Sequence, residues 1–196
     1  MQASQYRIVI FTVGTEGDAR PYAALGRGLA QAGHDVLIAT SREFEGFVRA
    51  QGLGFAPLTA DFLEMMRRNK AVMDRRSQMR LVRTLMHETR RMAKHWAEEG
   101  LAAAAGADLV IGSGNVSLLA ASVAEKLGAA YVRSQLQPFD PSRDLPPVLF
   151  RPPAVPLPGA LNLALYHLLR LLAWRFMQRT PLTARCMKRQ ASSLSR

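Results

Sequence analysis

One stretch, YRIVIFTVGTEGDARPYAALGRGLAQAGHDVLIAT over residues 6–40, constrains the fold more than any other. Residues 7–13 are nearly continuous in β-branched and aromatic side chains, the pattern of a strand buried on both faces. The run stops at Gly14, and residues 14–18 form a turn. Asp18 or a neighbour is expected to start a helix, with Pro21 in its first turn, where a missing N–H costs least. Tyr22, Leu25 and Leu29 then recur at helical spacing, and Gly33 supplies the C-terminal cap. Residues 35–40 read as a second buried strand. Two such strands joined by a helix make a parallel β-α-β unit with a right-handed crossover.

The rest of the chain extends that unit. Residues 44–51 read as a short helix capped by Ser41, and GLGFAPL over 52–58 as a third strand. Residues 61–105 are different: long, helical and densely charged, from Arg67 and Arg68 to Arg91 and Lys94, with scattered methionines and no single apolar stripe. Residues 107–112 form the next strand and Ser113-Gly114-Asn115 its turn. Residues 117–127 form a small-residue helix and 129–134 another strand, a second β-α-β with the layout of the first. From Gln135 the composition shifts to proline, as in an extended linker. Residues 160–178 form an amphipathic helix, and 181–196 are basic and frayed. The expected fold is α/β: one Rossmann-like domain with a parallel sheet over residues 1–155, carrying a charged helical insertion at 61–105. An amphipathic linker helix at 156–180 and a disordered tail at 181–196 follow.

Charge narrows the partners. The 196 residues carry a formal net charge of +11, and no acidic residue follows Asp144. Such an excess favours anionic lipid headgroups, phosphorylated ligands or nucleic acid. Nucleic acid fits least, because the basic region has few aromatics and no helix-turn-helix or RNA-binding signature. The one cysteine, Cys186, can form no intrachain disulfide, and no His, Cys or carboxylate group has ligand spacing, so no metal site is expected. The apolar run at 8–13 is too short for a signal peptide, and no stretch reads as a transmembrane helix. The expected location is the cytoplasm. Peripheral membrane contact would run through the basic helical region and the 160–178 helix, with Trp174 and Phe176 as anchors.

In an open parallel sheet, ligands bind outside the C-terminal strand ends. Two turns stand there: residues 14–18 and 113–117. Gly14 and Gly17 allow close backbone approach, and the helix behind them favours negative charge. The GxGxxG pattern is absent, no Lys-Ser or Lys-Thr follows, and the second strand ends without an acid for a ribose diol. Arg42 could read a 2′-phosphate, which keeps an NADP-binding reductase as one alternative. Asp18 is the titratable group on this rim. It can serve as a general base, as a helix N-cap, or as both. Candidate substrate-binding residues are Gly14, Thr15 and Gly17 in the first turn, Ser113 and Asn115 in the second, and Gln135 and Gln137 where the linker begins. His34 lies at the opposite end of the sheet and reads as a surface turn residue.

The ordered motifs resemble the N-terminal domain of family 28 glycosyltransferases and their UDP-glycosyltransferase relatives, the sterol- and antibiotic-type enzymes. Gly14, Thr15, Gly17, Asp18 and Pro21 match the Gly-[ST]-x-Gly-Asp-x-x-Pro turn, and Gly33, His34 and Val36 match the Ala-Gly-His-x-Val that closes the helix. Phe44, Phe47 and Gly52-Leu53-Gly54-Phe55 follow in order. ADLVIGSGNVSLLAASVAEKLGAAYV and QLQPFDPSRDLPPVLFRPP resemble the later β-α-β and the linking loop. The resemblance implies the N-terminal, acceptor-binding half of a GT-B architecture. It implies an inverting transfer of a hexose from a UDP- or dTDP-linked sugar, a co-substrate rather than a cofactor, to a hydroxyl of a lipid, sterol or natural product. It implies that Asp18 is the general base and that no metal takes part. No donor-binding domain is expected within these 196 residues, so the chain is expected to be truncated and inactive alone, or to work with a separate donor-domain chain. The other alternative is a non-catalytic module that binds a membrane or a partner.

Overall fold

The computed structural model describes residues 4–59, 95–137, 140–147 and 157–177. Most of the charged segment 61–105 and all of the tail 181–196 lie outside the described residues, as do the side chains of Asn115, Trp174 and Phe176. The chain divides into two compact units, Met1–Ser134 and Gln135–Arg196.

The first unit is built on five strands: β1 (Arg7–Phe11), β2 (Asp35–Ser41), β3 (Gly54–Leu58), β4 (Leu109–Ser113) and β5 (Ala130–Ser134). All four pairings are parallel, in the order β3-β2-β1-β4-β5. Helix α1 (Glu16–Gln31) joins β1 to β2, and α2 (Glu45–Ala50) joins β2 to β3 after a 3-10 turn at Arg42–Phe44. Residues 95–103 form helix α3, and α4 (Ser117–Leu127) joins β4 to β5 after a 3-10 turn at Gly114–Val116.

The two β-α-β units differ from a simple repeat. β2 lies on one side of β1 and β5 on the opposite side of β4, so right-handed crossovers place α1 and α4 on opposite faces of the sheet. One face packs Ile8, Ile10, Val36, Ile38 and Ile111 against Tyr22 and Ala23 of α1 and Val48 of α2. The other packs Val9, Phe11, Ala39 and Val110 against Trp96 of α3 and Ala120, Val123 and Ala124 of α4. Strands buried on both sides explain the continuous apolar runs. Gly112 fits this arrangement sterically: a Cβ there would come within 2.6 Å of the Ala120 Cβ and 3.1 Å of the Ser117 Cα, so α4 can seat on β4 only over a glycine.

Helix ends follow local chemistry, with three corrections to the sequence reading. Helix α1 starts at Glu16, so Thr15 is its N-cap and Asp18 its third residue rather than the cap itself. Pro21 consequently sits in the second turn, inside the helix. It has no N–H to give the Gly17 carbonyl, a loss of the kind that weakens a helix interior. Ser41 precedes the 3-10 turn with no side-chain capping bond, and Phe44 is the residue before α2. At the other end of α1, Gly33 adopts φ +95°. Its N–H donates to the Ala30 carbonyl and the His34 N–H to the Leu29 carbonyl, a complete Schellman closure. His34 Nδ1 accepts the Tyr6 N–H at 3.3 Å, so this histidine also fastens the entry to β1.

A three-point tie joins β3 to α3. The Thr59 N–H donates to Glu99 Oε2 at 2.7 Å, the Thr59 hydroxyl to Glu99 Oε1, and Trp96 Nε1–H to the Thr59 carbonyl at 2.9 Å. Thr59, just before the segment 60–94, is therefore held against α3, which follows that segment. In the second unit, helix α5 (Gly159–Met177) buries Asn162 and Tyr166. Their side chains bond to the carbonyls of Arg143 and Pro146 in the preceding loop. No described helix is long and apolar enough to cross a membrane.

Candidate functional site

The strand order places the site. Chain direction reverses between β1 and β4: from β1 the chain moves toward β2, and from β4 toward β5. The two turns that follow these adjacent strands diverge to opposite faces and leave a crevice at their C-terminal ends, the switch point where open α/β sheets bind ligands. Gly14, Thr15, Gly17 and Asp18 sit on one side of it, and Ser113 with the backbone of Asn115 on the other. Gln135 and Gln137 belong to the second unit and begin directly after β5.

Asp18 is folded back onto its own turn. Its Oδ2 accepts the Thr15 N–H at 2.8 Å and the Thr15 hydroxyl at 3.2 Å. With the Thr15 hydroxyl also facing the Asp18 N–H, the pair makes a capping box. The carboxylate lies over the Cα of Gly14, where a Cβ would overlap it. It is half-buried, and Glu16 on the same turn is exposed and paired with Arg20.

This geometry argues against the dinucleotide alternative. A pyrophosphate at the α1 N-terminus needs free backbone donors and a positive field. Here the Thr15 N–H is already taken by a carboxylate, whose charge would repel the phosphates. Arg42 is exposed just after β2.

A polar floor lies beneath the crevice that the motif reading missed. Ser113 pairs with Ser134 across β4 and β5. Thr12 stands opposite Ser113, one step beyond the Phe11–Gly112 pair, and opposite Thr40, one step beyond the Phe11–Ala39 pair. The Thr12 N–H continues that ladder to the Ala39 carbonyl at 3.1 Å. Thr40, Thr12, Ser113 and Ser134 therefore form one row of hydroxyls across four strands on the α1 face. Two residues lower, the equivalent row is Ile38, Ile10, Ile111 and Val132. Tyr22 of α1 drops its hydroxyl onto the Ser134 carbonyl at 3.0 Å and lies 3.2 Å from Ser134 Oγ. Thr12 Oγ1 faces the Asp18 carbonyl at 3.5 Å. Thr40 Oγ1 and Ser41 Oγ are buried without a hydrogen-bond partner among the described residues. On the other face, the Tyr131 hydroxyl donates to the Ser117 carbonyl at 2.8 Å and fixes the start of α4.

The sequence matches the glycosyltransferase family 28 N-terminal domain over residues 8–140. It is similar to the sterol 3-beta-glucosyltransferase of Candida albicans, 31% identical over 150 residues that cover 76% of this chain and 10% of that protein. The sterol 3-beta-glucosyltransferase of Emericella nidulans is 33% identical over 177 residues, 88% of this chain and 12% of that one. This chain thus spans about a tenth of the length of the curated relatives it matches. Among solved structures, the Streptomyces sp. SF2575 glycosyltransferase SsfS6, complexed with thymidine diphosphate, aligns with a TM-score of 0.54 and 26% identity. That alignment covers 74% of this chain and 41% of the neighbour. The glycotransferase of kitacinnamycin shares the fold at a TM-score of 0.56 and 15% identity, over 98% of this chain and 40% of that one.

Proposed function

The chain belongs to glycosyltransferase family 28 through its N-terminal domain, and from that premise we propose that it is the acceptor-binding half of an inverting, nucleotide-sugar-dependent glycosyltransferase. The observation that carries the reading is Asp18, a half-buried carboxylate fixed on the rim of the switch-point crevice. A carboxylate there can take the proton from an acceptor hydroxyl as that oxygen forms its bond to the anomeric carbon. The bonding pair of the departing C–O bond leaves with the nucleoside diphosphate. The donor, UDP- or dTDP-linked, is held by a second domain facing this one.

A sterol is the favoured acceptor, because the relatives above 30% identity are named sterol 3-beta-glucosyltransferases. The natural-product enzymes are more distant, at 26% identity or below. Direct titration tests the assignment: these residues should bind a sterol and leave a nucleotide sugar unbound.

A second reading adds a membrane surface. Helix α5 exposes Leu161, Leu168, Leu171 and Leu172, each about half accessible. Arg170 and Arg175 lie on the same helix, and eight Arg or Lys residues with no acid follow Asp144. An apolar helical face beside a cationic segment suits an anionic bilayer. Flotation with phosphatidylserine vesicles should recover the chain at low salt and lose most of it at about 1 M salt, where the Debye length falls to about 3 Å. Absence of binding at both salt concentrations removes this reading.

A further inference from the structure

Resting on the general-base reading of Asp18, we propose that Gly14 and Thr15 are positioning residues that commit one oxygen of the carboxylate and leave the other to react. A capping box needs only one backbone bond from the N-cap N–H to the third-residue side chain. Here Oδ2 accepts two donors, the N–H and the hydroxyl of the same threonine. Among the described residues, no hydrogen bond is directed to Oδ1. The two carboxylate oxygens are thus unequal: Oδ2 is the anchor, and Oδ1 receives the acceptor's proton.

The residue types follow from this division. Capping boxes usually employ Glu or Gln at the third position. Asp is one methylene shorter, so its carboxylate reaches the Thr15 N–H only by lying down across the backbone of residue 14. That space exists because residue 14 has no Cβ; a methyl group there would overlap Oδ2 and stand 2.6 Å from Cγ and 3.1 Å from the Asp18 Cβ. Gly14 is itself buried, so the carboxylate cannot be accommodated by swinging the glycine outward into solvent. Gly14, Thr15 and Asp18 therefore act as one device: the glycine opens the seat, the threonine holds one oxygen, and the short acid presents the other. A side chain held in one staggered rotamer loses less entropy when it meets the acceptor, the benefit of a preorganised base.

The test reads the Asp18 rotamer directly. Three-bond couplings about χ1 are measured in the isotope-labelled 196-residue chain, together with amide-exchange protection along α1. Wild type and Thr15→Ser should each show Asp18 in one staggered rotamer. Thr15→Gly keeps an acceptable N-cap. It removes the hydroxyl bond and keeps the N–H bond, so the share of the single rotamer should fall measurably while the α1 amides beyond Asp18 stay protected. Gly14→Ala should do the same by filling the seat. A rotamer that stays fixed in Thr15→Gly overturns the proposal. So does a loss of α1 protection that accompanies the rotamer change, because Thr15 would then be a helix cap alone. The measurement involves no turnover, so it stands apart from the general-base reading, which falls separately if Asp18→Asn leaves transfer intact.

Discussion

Asp18→Asn is expected to lower turnover of the complete glycosyltransferase by roughly 10²- to 10⁴-fold, the usual contribution of a positioned general base. That corresponds to about 3–5 kcal/mol of transition-state stabilisation. The substitution preserves shape, and the amide oxygen can still accept the Thr15 N–H that now goes to Oδ2. Helix α1 should stay capped and the melting temperature nearly unchanged. Donor affinity should also hold, since the proposed function places the donor on a second domain. Loss of kcat with donor binding intact is the signature of a missing base. Unchanged turnover would remove Asp18 from the chemistry and leave it a helix-capping residue.

The second large effect is on stability. Trp96 is 3% exposed and packs in the core between α3 and the sheet. Trp96→Ala should cost about 3–5 kcal/mol through lost burial and the cavity left behind. That is a large share of the roughly 5–15 kcal/mol that stabilises a typical domain. The Thr59 carbonyl also loses its donor, so the tie that holds residue 59 beside α3 weakens. Urea unfolding should show the midpoint fall with little change in slope. A loss below about 1 kcal/mol would mean that α3 is not part of the cooperative core.

Much of this was legible in the sequence because it depends on local order. Runs such as RIVIF and DVLIATS are apolar on both sides, and only a covered parallel sheet accommodates them. Gly33 and Gly128, both at positive φ, end their helices where turn chemistry requires them. The spacing from Gly14 to Pro21 carried the family: Gly14, Thr15 and Asp18 build the turn, and Pro21 lies inside α1. What the sequence could not display is pairing order. Nothing in the two β-α-β segments says that β4 lies beside β1 rather than beside β3, and the opposite placement of α1 and α4 follows from that adjacency alone.

The hydroxyl row shows the same limit. IVIFT, VLIAT and LVIGS each close an apolar run with Thr or Ser, and Ser134 closes AYVRS, a signal present in the sequence. Its meaning depends on register: only when Phe11 pairs with both Ala39 and Gly112 do the four hydroxyls fall into one line beneath Asp18. The cap assignment failed for a related reason. Asp is a favoured N-cap, but Thr15 three residues earlier competes for that place, and the capping box resolves the competition in favour of Thr15.

In the proposed function, this domain supplies the acceptor side of a sugar-transfer site. The most direct measurement titrates the 196-residue chain in parallel with a fluorescent sterol, UDP-glucose and NADPH. Saturable sterol binding and no binding of either nucleotide are expected, because the Thr15 N–H at the start of α1 is already taken by the Asp18 carboxylate. Saturable binding of UDP-glucose or NADPH, with no binding of sterol, would contradict it.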